Sequence, residues 1–245
     1  MAEPLFHDPA LSQFYDFDNR WDSDKDFCFR LAADATSVLD LGCGTGALAA
    51  ALANGRRVVG VEPAAAMLAI ARQRASDQRV SWIEADARTV RLGERFDLVM
   101  MTGHAFQCLL GDGDQRALCR TIAAHLNPGG TFIFDSRDPA RQEWRGWVPE
   151  QTRRTFVQPG LGTIEAWHDV RFNHAAEIAT YDVFYRALAT GERWQATSRI
   201  RFASRQTIAT HCAEAGLRVV RWLGDWDGTP WTDAAAENIP IGTLA

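Results

Sequence analysis

The stretch Val38-Leu39-Asp40-Leu41-Gly42-Cys43-Gly44-Thr45-Gly46 decides how the rest of the chain is read. It opens apolar, is broken by glycines at alternate positions, and resumes as Ala47-Leu48-Ala49-Ala50-Ala51-Leu52. That pattern predicts a buried parallel strand turning tightly into a helix. Glycine suits such a turn because it accepts positive φ and, lacking a Cβ, lets the backbone touch a ligand. The turn is expected to be a cradle.

Two kinds of ligand compete for it. Gly42-x-Gly44-x-x-Ala47, with Glu62 twenty residues past Gly42, satisfies a loose dinucleotide fingerprint, in which a helix start takes a pyrophosphate and an acid takes the ribose. A third glycine at Gly46 and an acid, Asp40, at the mouth of the loop point elsewhere. Asp40 would repel a pyrophosphate and suits a cationic amino-acid ligand.

Further motifs follow in order. They are Gly60-Val61-Glu62-Pro63, Glu84-Ala85-Asp86-Ala87, Phe96-Asp97-Leu98-Val99-Met100 and Leu126-Asn127-Pro128-Gly129-Gly130-Thr131-Phe132. With the glycine loop, this series resembles the class I S-adenosylmethionine (SAM)-dependent methyltransferases over most of the chain. The resemblance implies an α/β fold: a Rossmann-like, doubly wound, mostly parallel seven-stranded sheet with helices on both faces. It also implies SAM as cofactor, S-adenosylhomocysteine as product, no metal, and a small-molecule acceptor methylated on N or O. Two readings from other classes stay open: an NAD(P)-dependent oxidoreductase, and a SAM-binding protein without transfer activity.

Composition narrows the setting. At 245 residues and 47% hydrophobic, the chain suits one α/β unit with an elaboration. A net charge of −5 offers no general attraction to a phosphate backbone, so no nucleic acid is expected as partner. Five cysteines, Cys28, Cys43, Cys108, Cys119 and Cys212, form no CxxC pair and read as reduced thiols of a cytoplasmic protein. Neither a signal peptide nor an apolar membrane span is evident, and a homodimer is compatible with the composition. Lys25 is the single lysine against twenty-five arginines.

Residues 37–136 alternate strand and helix, predicting a parallel sheet with covering helices. Strands are expected near 37–41, 57–61, 79–84, 96–101 and 130–136, and helices near 45–53, 63–75 and 113–126. Ligands of such sheets bind beyond the strands' carboxyl ends, where strand order reverses. Asp40, Glu62, Asp86 and Thr102-Gly103-His104 all fall at those ends. In the family these positions imply roles. Glu62 takes both ribose hydroxyls, Asp86 and the Ala87 amide take the adenine edge, and Asp40 with Gly42, Cys43, Gly44 and Gly46 holds the methionine arm. Pro63 and Met67 would pack against sugar and base. Thr102 and His104 border the methionine arm and the acceptor, where the imidazole could act as base, bond the cofactor, or cap the next segment. His125 reads as a helix-end donor.

Residues 1–36 precede the first strand and predict two short helices, 11–18 and 22–33. Tyr15 and Trp21 are either contacts to SAM or, with Phe14 and Phe17, glue to the core. Residues 141–202 depart from alternation and predict an inserted antiparallel β meander roofing the acceptor pocket, between core segments 37–140 and 203–245. Seven of nine tryptophans lie beyond residue 143, as sheet core or pocket wall. Arg137, Arg141, Arg145, Arg153 and Arg154, interleaved with Asp138, Glu143 and Glu150, read as a solvated rim or, alternatively, as contacts to an anionic small substrate. A helix over 205–215, a strand over 217–223 and a last strand within 238–244, crossed by Pro240, complete the chain.

Overall fold

A computed structural model describes residues 4–74 and 80–245. The expected helix end at residue 75 and strand start at residue 79 lie outside the described residues. Strands β1 (Ser37–Leu41), β2 (Arg57–Glu62), β3 (Val80–Glu84), β4 (Phe96–Met101) and β5 (Leu126–Phe134) pair in parallel, in the order β5-β4-β1-β2-β3. β10 (Leu217–Leu223) and β11 (Ile239–Leu244) extend the sheet, with β11 antiparallel to both β5 and β10. The sheet is therefore seven-stranded and mostly parallel, and strand order reverses between β1 and β4.

Each β1 residue from Val38 to Leu41 is buried, as the apolar run predicts, and the polar exception is Asp40. β11 runs through Pro240, which the strand tolerates for two reasons. The carbonyl of its partner Trp222 accepts the Trp231 amide instead, and a register shift between Val219 and Arg221 absorbs the irregularity in β10.

Helices flank the sheet: α5 (Ala47–Leu52), α6 (Ala65–Arg74), α7 (Asp112–His125) and α9 (Arg205–Glu214). Ser204 caps α9, its hydroxyl accepting the Thr207 amide at 3.1 Å. Ahead of β1 lie α1 (Pro4–His7), α2 (Pro9–Ser12), α3 (Tyr15–Asp18) and α4 (Ser23–Leu31). The helix expected over 11–18 is thus two separate turns. It breaks at Gln13-Phe14 because Phe14 turns inward to full burial, stacked on Tyr185 at 4.4 Å.

After β5 and a short helix α8 (Pro149–Thr152), the chain forms β6 (Arg154–Gln158), β7 (Gly162–Asn173), β8 (Ile178–Ala187) and β9 (Arg193–Arg201). These four make the antiparallel meander, in the order β6-β7-β8-β9. Its tryptophans divide between roles. Trp144 is buried against Phe172 at 3.7 Å, whereas Trp147 faces a cavity. The arginines also divide: Arg137 and Arg154 line the cavity instead of forming a solvated rim, while Arg153 lies over Trp167 at 4.8 Å. A hydrogen bond to Gln107 draws Arg137 inward, and an ion pair with Asp18 draws Arg154.

Candidate functional site

The glycine turn has the geometry its sequence predicts: Gly42, Gly44 and Gly46 adopt φ of 72°, 54° and 74°. Their amides are already used. Gly42 and Cys43 donate to the Val61 carbonyl at 2.7 and 3.1 Å, Gly44 donates to Glu62 Oε2 at 3.0 Å, and Gly46 to the Cys43 carbonyl at 2.9 Å. A pyrophosphate cradle needs such N–H groups free and aimed at the anion. This loop has spent them internally, which suits a cationic ligand facing carbonyls and Asp40.

A cavity of about 740 Å³ opens beside the loop, beyond the carboxyl ends of β1, β4 and β5. It brings together Tyr15, Asp40, Gly42, Cys43, Thr102 and His104. Tyr15 lies flat on the loop, where a Cβ added to Gly44 would stand 3.5 Å from its hydroxyl. Burial, then the charge of Glu62, pushes the Tyr15 phenol pKa upward. Asp40, 2% exposed, has its carboxyl raised to about 7, first by burial and then by Glu62.

The remaining expected residues lie outside this cavity's lining. Glu62 is nearly buried, its second oxygen accepting the Ala64 amide at 3.0 Å, and burial raises its carboxyl. Asp86 is gripped by the Arg88 guanidinium, which also binds Asp114 at 2.7 Å and lowers the Asp86 carboxyl. Met67 and Ala87 are buried, and Pro63 is exposed. Gly46 packs inward, where a Cβ would meet Ala71 Cβ at 2.8 Å and the Trp82 ring. Trp21 is 45% exposed, its indole N–H donating to Asp26 at 2.7 Å. It is held on the surface by that bond and by Phe29. His125 is structural: its Nε2 accepts the Leu92 amide at 2.9 Å, so its Nδ1 donates to the Thr121 carbonyl at 2.7 Å.

With this geometry in view, likeness to known proteins is decisive. A family model described as a methyltransferase domain matches residues 38–130. A cypemycin N-terminal methyltransferase of a Streptomyces species is 30% identical over 214 residues, covering 85% of this chain and 83% of that protein. The chain belongs to the class I SAM-dependent methyltransferases. A ubiquinone biosynthesis O-methyltransferase of Methylobacterium nodulans is 31% identical over 185 residues, covering 67% of this chain and 68% of that protein. The CcbJ methyltransferase of Streptomyces caelestis shares the fold, with a TM-score of 0.77 at 23% identity over 96% of this chain and 97% of that one.

The methyltransferase's cavity also holds residues that motif reading missed. Lys25, from α4, reaches the Arg20 carbonyl at 2.9 Å and stands 3.6 Å from Asp24. Arg154 pairs with Asp18 at 2.7 Å, and Tyr185 donates to the same carboxylate at 2.5 Å. His168 is lowered to about 4, by burial and then by Arg154, and is neutral at pH 7. Asp135, fully buried, is raised to about 6 by burial, partly offset by His104. Asp16 accepts the Thr45 hydroxyl at 2.6 Å and pairs with Arg74, which also donates to the Thr45 carbonyl. Among the described residues, no cluster of histidine, cysteine or acid side chains is arranged to hold a metal, and no helix is long and apolar enough to cross a membrane.

Proposed function

We propose that this methyltransferase moves a methyl group from SAM to an N or O atom of a small-molecule acceptor seated in the cavity beside the glycine turn. One observation carries the reading: a glycine turn whose amides are spent internally, next to a buried carboxylate that needs a cation. Asp40, Gly42, Cys43 and Gly44, covered by Tyr15 and bordered by Thr102, would hold the methionine arm. Glu62 with Pro63 and Met67, and Asp86 with Ala87, would serve ribose and adenine from neighbouring strand ends. Segment 1–36 covers the cofactor, 37–140 with 203–245 binds it, and 141–202 roofs the acceptor.

Relatives named for an N-terminus and for an O-methyl transfer support the acceptor class. The bound sulfonium supplies a methyl group that is already electrophilic. What the chain adds is alignment and exclusion of water, worth roughly 7–11 kcal/mol of a barrier. Against a binding protein without transfer stands the room in the cavity beside Thr102 and His104. Against an oxidoreductase stands the internal use of the Gly42, Cys43, Gly44 and Gly46 amides, with Asp40 beside them.

Calorimetry with SAM, S-adenosylhomocysteine and NAD, followed by a methyl-transfer screen over amines, phenols and carboxylates, tests the proposal. Binding of the first two and transfer to at least one acceptor is the expected result. NAD binding without SAM binding would overturn it.

A further inference from the structure

His104 occupies a left-handed turn at the cavity wall, φ 60°, a conformation that strains a non-glycine residue. Asp135 holds it there, both carboxylate oxygens accepting the His104 amide at 3.1 Å. The ring is fixed separately. Its Nε2 lies 2.9 Å from Glu237 Oε1 and 3.5 Å from Asp135 Oδ2. Glu237 Oε2 is buried with no hydrogen-bond partner among the described residues.

Nearby cations are committed to other partners. Arg137 donates to Gln107 at 2.9 Å, pairs with Glu143 at 3.1 Å and lies over Trp147 at 5.1 Å. Arg154 is bound to Asp18, and Lys25 to Asp24 and the Arg20 carbonyl. Around His104 acids still outnumber cations: the cavity wall carries six aspartates, Asp16, Asp18, Asp22, Asp24, Asp40 and Asp135, against Arg20, Lys25, Arg137 and Arg154, and Glu237 adds a carboxylate on the ring. Arg137 and Lys25 temper Asp135 and Asp40 without pairing with them. An anionic acceptor would be repelled. An ammonium would be drawn in.

We propose that the acceptor is a primary or secondary amine that arrives as its ammonium, drawn by the charge of Asp135 beneath the cavity wall, with His104 as the base and Glu237 as the residue that positions it. This rests on the reading above, that an N or O acceptor occupies this cavity. An ammonium has no lone pair, so a proton must leave before transfer. A carboxylate on Nε2 selects the tautomer protonated there and leaves the lone pair on Nδ1. The ammonium gives one N–H proton to Nδ1. Its freed lone pair then forms the N–C bond while the C–S bonding pair returns to sulfur. The products are an N-methylammonium, S-adenosylhomocysteine and an imidazolium, which releases its proton to solvent.

The test uses three probes on one scaffold, phenethylamine, 2-phenylethanol and phenylacetate, titrated calorimetrically into the S-adenosylhomocysteine-loaded protein and assayed for methyl transfer with SAM. Phenethylamine is expected to bind about tenfold or more tighter than the alcohol, as for a cation beside a buried carboxylate, and phenylacetate weakest. Asp135→Asn keeps an acceptor for the His104 amide but removes the charge, and should cut the amine preference to within about threefold. Glu237→Gln should leave amine binding nearly unchanged, lower kcat about tenfold or more, and move His104 off the Nε2–H tautomer in long-range proton–nitrogen NMR, with Glu237→Asp restoring both in part.

The inference is overturned by equal or tighter binding of alcohol or carboxylate, by a preference that survives Asp135→Asn, or by binding of none of the three. If Asp135→Asn does not fold, the wild-type preference and Glu237→Gln decide. Transfer to the alcohol or the carboxylate sinks this inference and leaves the proposed function standing. Failure of S-adenosylhomocysteine to bind wild type sinks the proposed function itself.

Discussion

Replacing Asp40 by asparagine should move stability and cofactor affinity in opposite directions. The Asp40 carboxyl rises from its ordinary 3.8 to about 7 because it is buried beside Glu62. A folded-state pKa above the unfolded one means that the folded chain holds this proton more tightly. The benefit is present at acid pH and is lost as pH rises from about 4 through about 7. A rise of about three pKa units corresponds to a penalty of about 4 kcal/mol above pH 7, an upper bound because the cavity admits water. Asparagine is nearly isosteric and does not titrate. At roughly 2–4 °C per kcal/mol for a chain of this size, cofactor-free Asp40→Asn should melt above wild type at pH 8 by several degrees. That gap should close toward pH 4, while SAM binds the variant about tenfold or more weakly for want of a charged partner. Scanning fluorimetry from pH 4 to 8, with and without SAM, reads both effects. A variant less stable than wild type at pH 8, or a gap that does not change with pH, would refute the argument.

Other perturbations follow from individual contacts. Glu62→Gln sets an amide NH2 against one of the two backbone amides that the carboxylate now accepts, and should cost about 1–3 kcal/mol in both denaturant stability and SAM binding by calorimetry. Asp86→Ala should weaken SAM by about 1–3 kcal/mol yet barely move stability, because its pair with Arg88 is a third exposed; unchanged affinity in both variants would remove the adenosine assignment. Gly46→Ala places a side chain at φ 74° against Ala71 and Trp82 and should cost about 2–4 kcal/mol in a urea titration. Asp16→Ala removes the partner of Thr45 and Arg74, and should speed amide exchange in α3 while changing global stability by under about 1 kcal/mol.

Local chemistry made part of this molecule legible. The three glycines, Asp40 and the strand runs announce themselves within nine residues, because positive φ and burial leave short-range signatures. Long-range pairing leaves none. Asp135 bonds the His104 amide across 31 positions and Glu237 reaches the ring across 133, so neither could be read as part of a site before folding. Trp21 misled for the opposite reason: its aromatic character fitted a stacking role, but Asp26, five residues on, holds its indole at the surface. Arg137 and Arg154 looked solvated because their partners, Gln107 and Asp18, lie far away in the chain.

The segment from Phe14 to Asp18 touches both sheets' neighbourhoods. Asp16 fastens it to Thr45 at the glycine turn. Phe14, Phe17 and Asp18 fasten it to Tyr185, Phe156 and Arg154 of the meander. Five consecutive residues therefore stitch the turn to the meander, and under the function proposed above that one stitch is common to donor and acceptor.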